Sequence, residues 1–253
     1  MTGDRPIVDF RFARTAFRDQ MPRTLGAAAV GLSVCLAFGG EAFAGCAPGP
    51  AGPLDYVCTG TFGAQTLLTP ASVALVGAKA TGGITFNYAG GGGDANFSMD
   101  ANSSITASGN GVTMVTTAGH VDMTTPGGQA ILGPITSTAG IAILAGASGA
   151  GNNVNIVTGA KAVIAGATGG IAATSDGTGE INLSLAADVT AKNGPAIAAQ
   201  AVDGAINITQ AGKISGGAGG ILATTIGAGL IAIDTASTVS ATTWTAISAS
   251  AAG

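Results

Sequence analysis

Apolar and polar residues alternate along this chain in short bursts, and the bursts themselves recur at a spacing that drifts between about 24 and 30 residues. The repeat is sharpest near the C-terminus. Ile171-Ala-Ala173, Ile197-Ala-Ala199, Ile221-Leu-Ala223 and Ile247-Ser-Ala249 open successive units. Each full unit then carries an apolar-x-apolar triplet, Ile181-Asn-Leu183, Ile206-Asn-Ile208 or Ile231-Ala-Ile233. A third triplet closes it: Val189-Thr-Ala191, Ile214-Ser-Gly216, Val239-Ser-Ala241. A period of two is the signature of a strand, with the outer residues of each triplet on one face and the central one on the other.

The same three columns extend back through the chain. The first adds Ile84-Thr-Phe86, Val112-Thr-Met114 and Ile141-Ala-Ile143. The second adds Ala95-Asn-Phe97, Val121-Asp-Met123 and Val154-Asn-Ile156, and the third adds Ile105-Thr-Ala107, Ile135-Thr-Ser137 and Val163-Ile-Ala165. Three short strands per unit, joined by Gly-rich corners such as Gly109-Asn-Gly111, predict an all-β fold. It is a single-stranded parallel β-helix (β-solenoid) whose coils stack about 4.8 Å apart. Ile and Val stack inside, Ala fills the tight interior positions, and Thr, Asn or Ser face solvent. Six full coils and the start of a seventh predict a rod about 30 Å long. The central residues of the second column, Asn96, Asp122, Asn155, Asn182 and Asn207, predict an outward polar ladder that fixes coil register; contact with a ligand is the alternative.

The first 44 residues read differently. Arg23 precedes an apolar stretch from Leu25 to Phe38, and Ala42-Phe-Ala44 supplies a small-x-small pattern with cleavage between Ala44 and Gly45. At about 14 residues the stretch is too short for a spanning helix, which needs about 20. Residues 1–44 are therefore read as a signal peptide with an upstream extension, Met21 offering a second start. Residues 45–80 form a Pro-punctuated loop and N-terminal cap, and 81–253 the β-helix, left open at its last coil.

Cys46 and Cys58 flank a turn-rich loop, and in an oxidising compartment such a pair forms a disulfide. Phe43-Ala-Gly-Cys46 also resembles a lipoprotein cleavage box, with Phe43 where that motif usually has Leu, so lipidation at Cys46, which would leave Cys58 unpaired, stands as the second reading. Charge narrows the partners. Charged residues are 9% of the chain and aromatics 4%, and all five arginines lie before residue 25. Beyond Ala44 four lysines face nine acidic residues, which excludes nucleic acid, because phosphate contacts need clustered Lys and Arg.

Few residues carry chemistry. Asp176 and Glu180 are the closest acidic pair, but Ser175-Asp-Gly-Thr-Gly-Glu180 reads as a turn rather than a catalytic carboxylate pair. Gly90–Asp94 has a Gly-Asp pattern like that of Ca²⁺-binding nonapeptides, but it does not repeat. His120 is the only histidine. Neither a catalytic residue, a metal nor a cofactor is expected.

With the signal, the early cysteine pair and the Gly/Ala/Thr/Asn-rich repeat together, the chain resembles the passenger region of bacterial autotransporters over most of residues 21–253. That resemblance implies a Gram-negative protein exported through the inner membrane. Its right-handed β-helix would be displayed on or released from the cell surface, the periplasm being the alternative. Adhesion or scaffolding is the implied role, with host or neighbouring-cell surface molecules or glycans as partners. Such proteins end in an outer-membrane barrel; this sequence stops inside a seventh coil at Gly253, so the expectation is a fragment, a truncated frame, or a protein that reaches the surface another way. Membrane association would then depend on that barrel or on lipidation, and the open coil suggests end-to-end self-association. The competing expectation is a carbohydrate-active β-helix, lyase or hydrolase, with its catalytic groups elsewhere.

Overall fold

The computed structural model describes residues 45–49, 55–68, 72–88, 93–124 and 131–252, all within the unit Phe43–Gly253. The segment read as a signal peptide, Ala44 included, lies outside them. Strands are numbered along the chain. It begins with β1 (Cys46–Pro48) and β2 (Asp55–Phe62), an antiparallel pair. β2 then pairs in parallel with β4 (Ser72–Ala80). From there every ladder between described strands is parallel, as a coil stacked on a coil requires.

The first face is an eight-stranded sheet. It comprises β3 (Gln65–Leu67), β5 (Ile84–Tyr88), β8 (Val112–Thr116) and β11 (Ile141–Ser148), then β14 (Gly169–Asp176), β17 (Pro195–Ala201), β20 (Gly219–Thr225) and β23 (Ile247–Ala251). Its seven intervals give about seven turns and a stack of roughly 34 Å. The second face holds β6 (Ala95–Met99), β9 (Val121–Met123), β12 (Val154–Thr158), β15 (Ile181–Leu185), β18 (Ile206–Gln210) and β21 (Ile231–Thr235). The third holds β7 (Ser104–Ala107), β10 (Ile135–Ser137), β13 (Val163–Gly166), β16 (Asp188–Ala191), β19 (Ile214–Gly216) and β22 (Val239–Ala241). β4 serves both of these faces, pairing with β6 through Ser72–Leu75 and with β7 through Lys79 and Ala80. Gly77, at φ +58°, makes the bend between those two stretches, a conformation that favours glycine.

The expected columns are present, with two corrections of register. In β11 it is Ile143, not Ile141, that stands beside Val112 and Ile171. A shift of two keeps the same face inward, so the core loses nothing. In β13 it is Ile164, not Val163, that stands between Ile135 and Val189. A shift of one reverses every side chain. Ile164 is 0% exposed and Val163 46% exposed, whereas the triplet Val163-Ile-Ala165 predicts the opposite. The reason is that Ala162-Val-Ile-Ala165 has no alternation of its own, and the neighbouring coils choose the branched residue whose position lines up with their core.

The interior is one continuous cluster running from Cys46 to Ala223, on which Ile231, Ile233 and Val239 of the last described coil pack half-buried. Aromatic residues occupy only its N-terminal end, where Phe86 and Phe97 meet edge to face with centroids 5.9 Å apart. Beyond them Ile, Val, Leu, Met and Ala fill the core. Each fully buried branched side chain contributes roughly 1.5–3 kcal/mol, and stacking like on like in parallel register brings that burial to each coil in turn.

Candidate functional site

The outward polar stripe of the second face is a hydrogen-bonded ladder. The Asn155 amide Nδ2 donates to Asp122 Oδ1 at 2.5 Å, Asn182 Nδ2 to Asn155 Oδ1 at 3.0 Å, and Asn207 Nδ2 to Asn182 Oδ1 at 2.9 Å. All three bonds run in one direction, toward a carboxylate. Asn96 stands in register with Asp122 at the N-terminal end, and Ala232 follows Asn207 at the other. Parallel, in-register stacking repeats each amide at one coil rise, close enough for amide to meet amide. Each central amide spends one N–H and one carbonyl lone pair on its neighbours. What remains outward is one N–H and one lone pair per coil.

A second set of side chains runs along the corner before the second face. His120 N–H donates to Asp94 Oδ1 at 3.0 Å, Asn153 N–H to His120 Nδ1 at 2.9 Å, and Glu180 N–H to Asn153 Oδ1 at 2.8 Å. Asp94, His120 and Asn153, each just before a second-face triplet, thus accept from the backbone of the next coil. The third face repeats the device once, where Lys213 N–H donates to Asp188 Oδ1 at 2.7 Å. Asp94, from the stretch with the Gly-Asp pattern, and His120 are used here as backbone acceptors. Among the described residues no group of three or more His, Cys, Asp or Glu is placed to hold a metal ion. Asp176 accepts the Ser148 hydroxyl at 3.2 Å, in the same Gly-rich corner as Glu180.

The bend of β4 is held from the next coil. Asp100 accepts Gly77 N–H at 3.0 Å, Asn102 N–H at 3.2 Å and the Ser103 hydroxyl at 2.5 Å. Ser103, itself buried, accepts Ala78 N–H at 2.9 Å. Burial acts to raise the Asp100 carboxyl, but hydrogen bonds from the Ser103 hydroxyl and from the Gly77, Asn102 and Ser103 N–H groups outweigh it. The carboxyl is held below the ordinary aspartate value.

Inside the corner after the first face, Thr116, Ala147, Ser175, Ala201 and Thr225 share one column. The three hydroxyls are buried and donate to corner carbonyls: Thr116 to Gly119, Ser175 to Gly179, and Thr225 to Gly229. One buried polar group breaks the rule. Gln210 is 0% exposed, and neither its Oε1 nor its Nε2 has a hydrogen-bond partner.

Cys46 and Cys58 are directly opposed in the β1–β2 ladder and are joined by a disulfide, which leaves no free thiol at Cys46. Gly45 has φ +100°, and the Phe62 ring occupies the space that a Cβ there would take. Of the residues singled out in the sequence, the structure therefore gathers Asp122, Asn155, Asn182 and Asn207 into one bonded ladder. The corner acceptors and buried hydroxyls escaped that reading because single Asp, His, Asn, Ser and Thr residues beside glycine look like ordinary turn formers. Their signal was position: each acceptor immediately precedes a triplet. Comparison of the chain with family models, with curated proteins and with solved structures gives no match.

Proposed function

We propose that this protein is an exported β-helix, displayed on the cell surface or secreted, that acts without catalysis as an adhesive rod or structural scaffold. The observation that carries the reading is where the outward polar groups are spent. The Asn155, Asn182 and Asn207 amides and the Asp94, His120 and Asn153 side chains bind the adjacent coil. A rod cross-linked along its outside as well as packed within is stiff, and it presents the same pattern of small polar groups at each rise. That suits a spacer, or a surface that meets an extended partner such as a glycan or another cell's surface molecules. The Cys46–Cys58 disulfide supports export, since such bonds persist in oxidising compartments.

The test is to label the full chain in its native cells. Antibody binding and protease cleavage on intact cells, with recovery of the chain from the medium, is the expected result. Labelling only after permeabilisation overturns surface display. Incubation with pectin and other acidic glycans tests the absence of catalysis. Sugar release that disappears in Asp176→Asn or Glu180→Gln overturns the non-enzymatic reading.

A further inference from the structure

The chain contains two Asn-Gly pairs, Asn110-Gly111 and Asn193-Gly194, both in corners between the third and first faces. They are held very differently. Asn110 Oδ1 accepts Ile141 N–H at 3.0 Å, its Nδ2 donates to Thr113 Oγ1 at 3.4 Å, and Gly111 N–H donates to the Ile141 carbonyl at 3.0 Å. Asn193 is exposed, and its backbone N–H donates to the Ala167 carbonyl at 2.8 Å, but its side chain makes no hydrogen bond to any described residue. The Gly194 N–H likewise donates to no described acceptor, although the Gly194 carbonyl accepts Ala218 N–H at 3.1 Å.

We infer that Asn193 is a site of spontaneous self-modification, its side-chain amide being lost to attack by the backbone nitrogen of Gly194, while Asn110 is protected. Gly194 is buried, as Gly111 is, so its nitrogen gives its proton to a base that reaches it as the corner moves, and forms a bond to Asn193 Cγ. The Cγ–Nδ2 bond breaks and ammonia leaves, closing a five-membered succinimide. Water then adds at either imide carbonyl and opens the ring to aspartate or to isoaspartate. The net reaction is amide plus water to carboxylate plus ammonium, with no oxidant or further reactant. At Asn110 the same nitrogen and the same amide are both engaged, so those bonds must break before the ring can close.

The product is not silent in this fold. A Cβ at Gly194 would lie 1.7 Å from the Thr168 carbonyl oxygen, so this corner rests directly on the coil before it. Isoaspartate adds a methylene to the main chain at that contact, immediately before β17. Age would then add negative charge and loosen the register between β14 and β17 at one coil of the rod.

The experiment is ageing of the full chain at mildly alkaline pH, followed by peptide mapping with mass spectrometry and enzymatic methylation of isoaspartate. Product at Asn193 accumulates faster than at Asn110 by on the order of tenfold or more, the rate factor for even one hydrogen bond that must be given up. In urea-unfolded chain the two sites converge. Equal rates in the folded protein, faster reaction at Asn110, or a ratio unchanged by unfolding overturns the inference. The Asn193→Gln variant, which would need a larger ring, loses the product at that position and leaves the Asn110 rate as it was.

Discussion

Replacing Gln210 by Leu should make the protein more stable. Gln210 ends β18 and points into the core, between Leu185 on one coil and Thr235 on the next. It is fully buried, and both polar atoms of its amide lack partners. An unsatisfied buried donor or acceptor costs about 1–3 kcal/mol, and removing both polar groups recovers that desolvation. Leu has one heavy atom fewer than Gln but bulkier methyl groups, so it fills a similar volume, and the change of shape costs at most about 1.5 kcal/mol. The net expectation is stabilisation by about 1–3 kcal/mol. With a urea m-value near 3 kcal/mol/M, the midpoint followed by far-UV circular dichroism rises by roughly 0.3–1 M. Gln210→Met, closer in length, moves the same way. A midpoint that falls in both variants would show that the amide is satisfied in solution, and the reasoning from its isolation would be refuted.

Other perturbations report on the outside of the rod. Asp100 has a folded-state carboxyl held low, so its contribution is fully present above the ordinary aspartate value, about 3.9, and is lost as pH falls through the folded value. Denaturation measured from pH 6 downward should show a loss below about pH 4 that is smaller in Asp100→Asn. Asn155→Asp replaces a donor to Asp122 with a second carboxylate and costs about 1–2 kcal/mol at neutral pH. That penalty shrinks on acidification, when a protonated carboxyl can donate again; a pH-independent penalty refutes the charge argument. Gly204→Ala drives a methyl to within 1.7 Å of the Gly179 carbonyl oxygen and lowers stability by about 1–3 kcal/mol. Gly109→Ala, where a Cβ meets nothing within 4 Å, leaves the thermal midpoint unchanged.

How much of this was legible in the sequence depended on local alternation. The second column reads without error because a branched or long apolar residue, a polar one and another apolar one leave a single choice of face, as in Ile181-Asn-Leu183. Where the chain is apolar at consecutive positions, the choice passes to the neighbours. Val163 and Ile164 are equally fit for a core, and only register with Ile135 and Val189 decides between them. Ile141-Ala-Ile-Leu-Ala145 offers two starting points two residues apart, and the corner from Thr138 to Gly140 absorbs the difference. Thr116, Ser175 and Thr225 were invisible for another reason. A hydroxyl facing a core is excluded by pattern alone, and becomes reasonable only once a corner carbonyl is known to lie within reach.

The drifting period therefore marks where cross-links are needed. Coil length changes mainly at corners, while the strands keep register from β6 to β21. The corner after β11 runs through Gly149-Ala-Gly-Asn-Asn153, longer than Gly177-Thr-Gly-Glu180 on the coil that follows. A longer loop stacked on a shorter one cannot pair backbone to backbone throughout, so side chains must close the mismatch. They do: Gly151 N–H donates to Thr178 Oγ1, Glu180 N–H to Asn153 Oδ1, Ser148 Oγ to Asp176, and Asn152 Nδ2 back to the Ser148 carbonyl. Where loops match in length, as at 177–180 against 202–205, backbone bonds suffice: Val202 N–H donates to the Ser175 carbonyl and Asp203 N–H to the Gly177 carbonyl. Asp176 thus already has a structural role as the acceptor for Ser148. Because asparagine keeps an accepting oxygen there, Asp176→Asn removes the charge without removing that bond, and a change in sugar release from that variant would report on chemistry rather than on the fold.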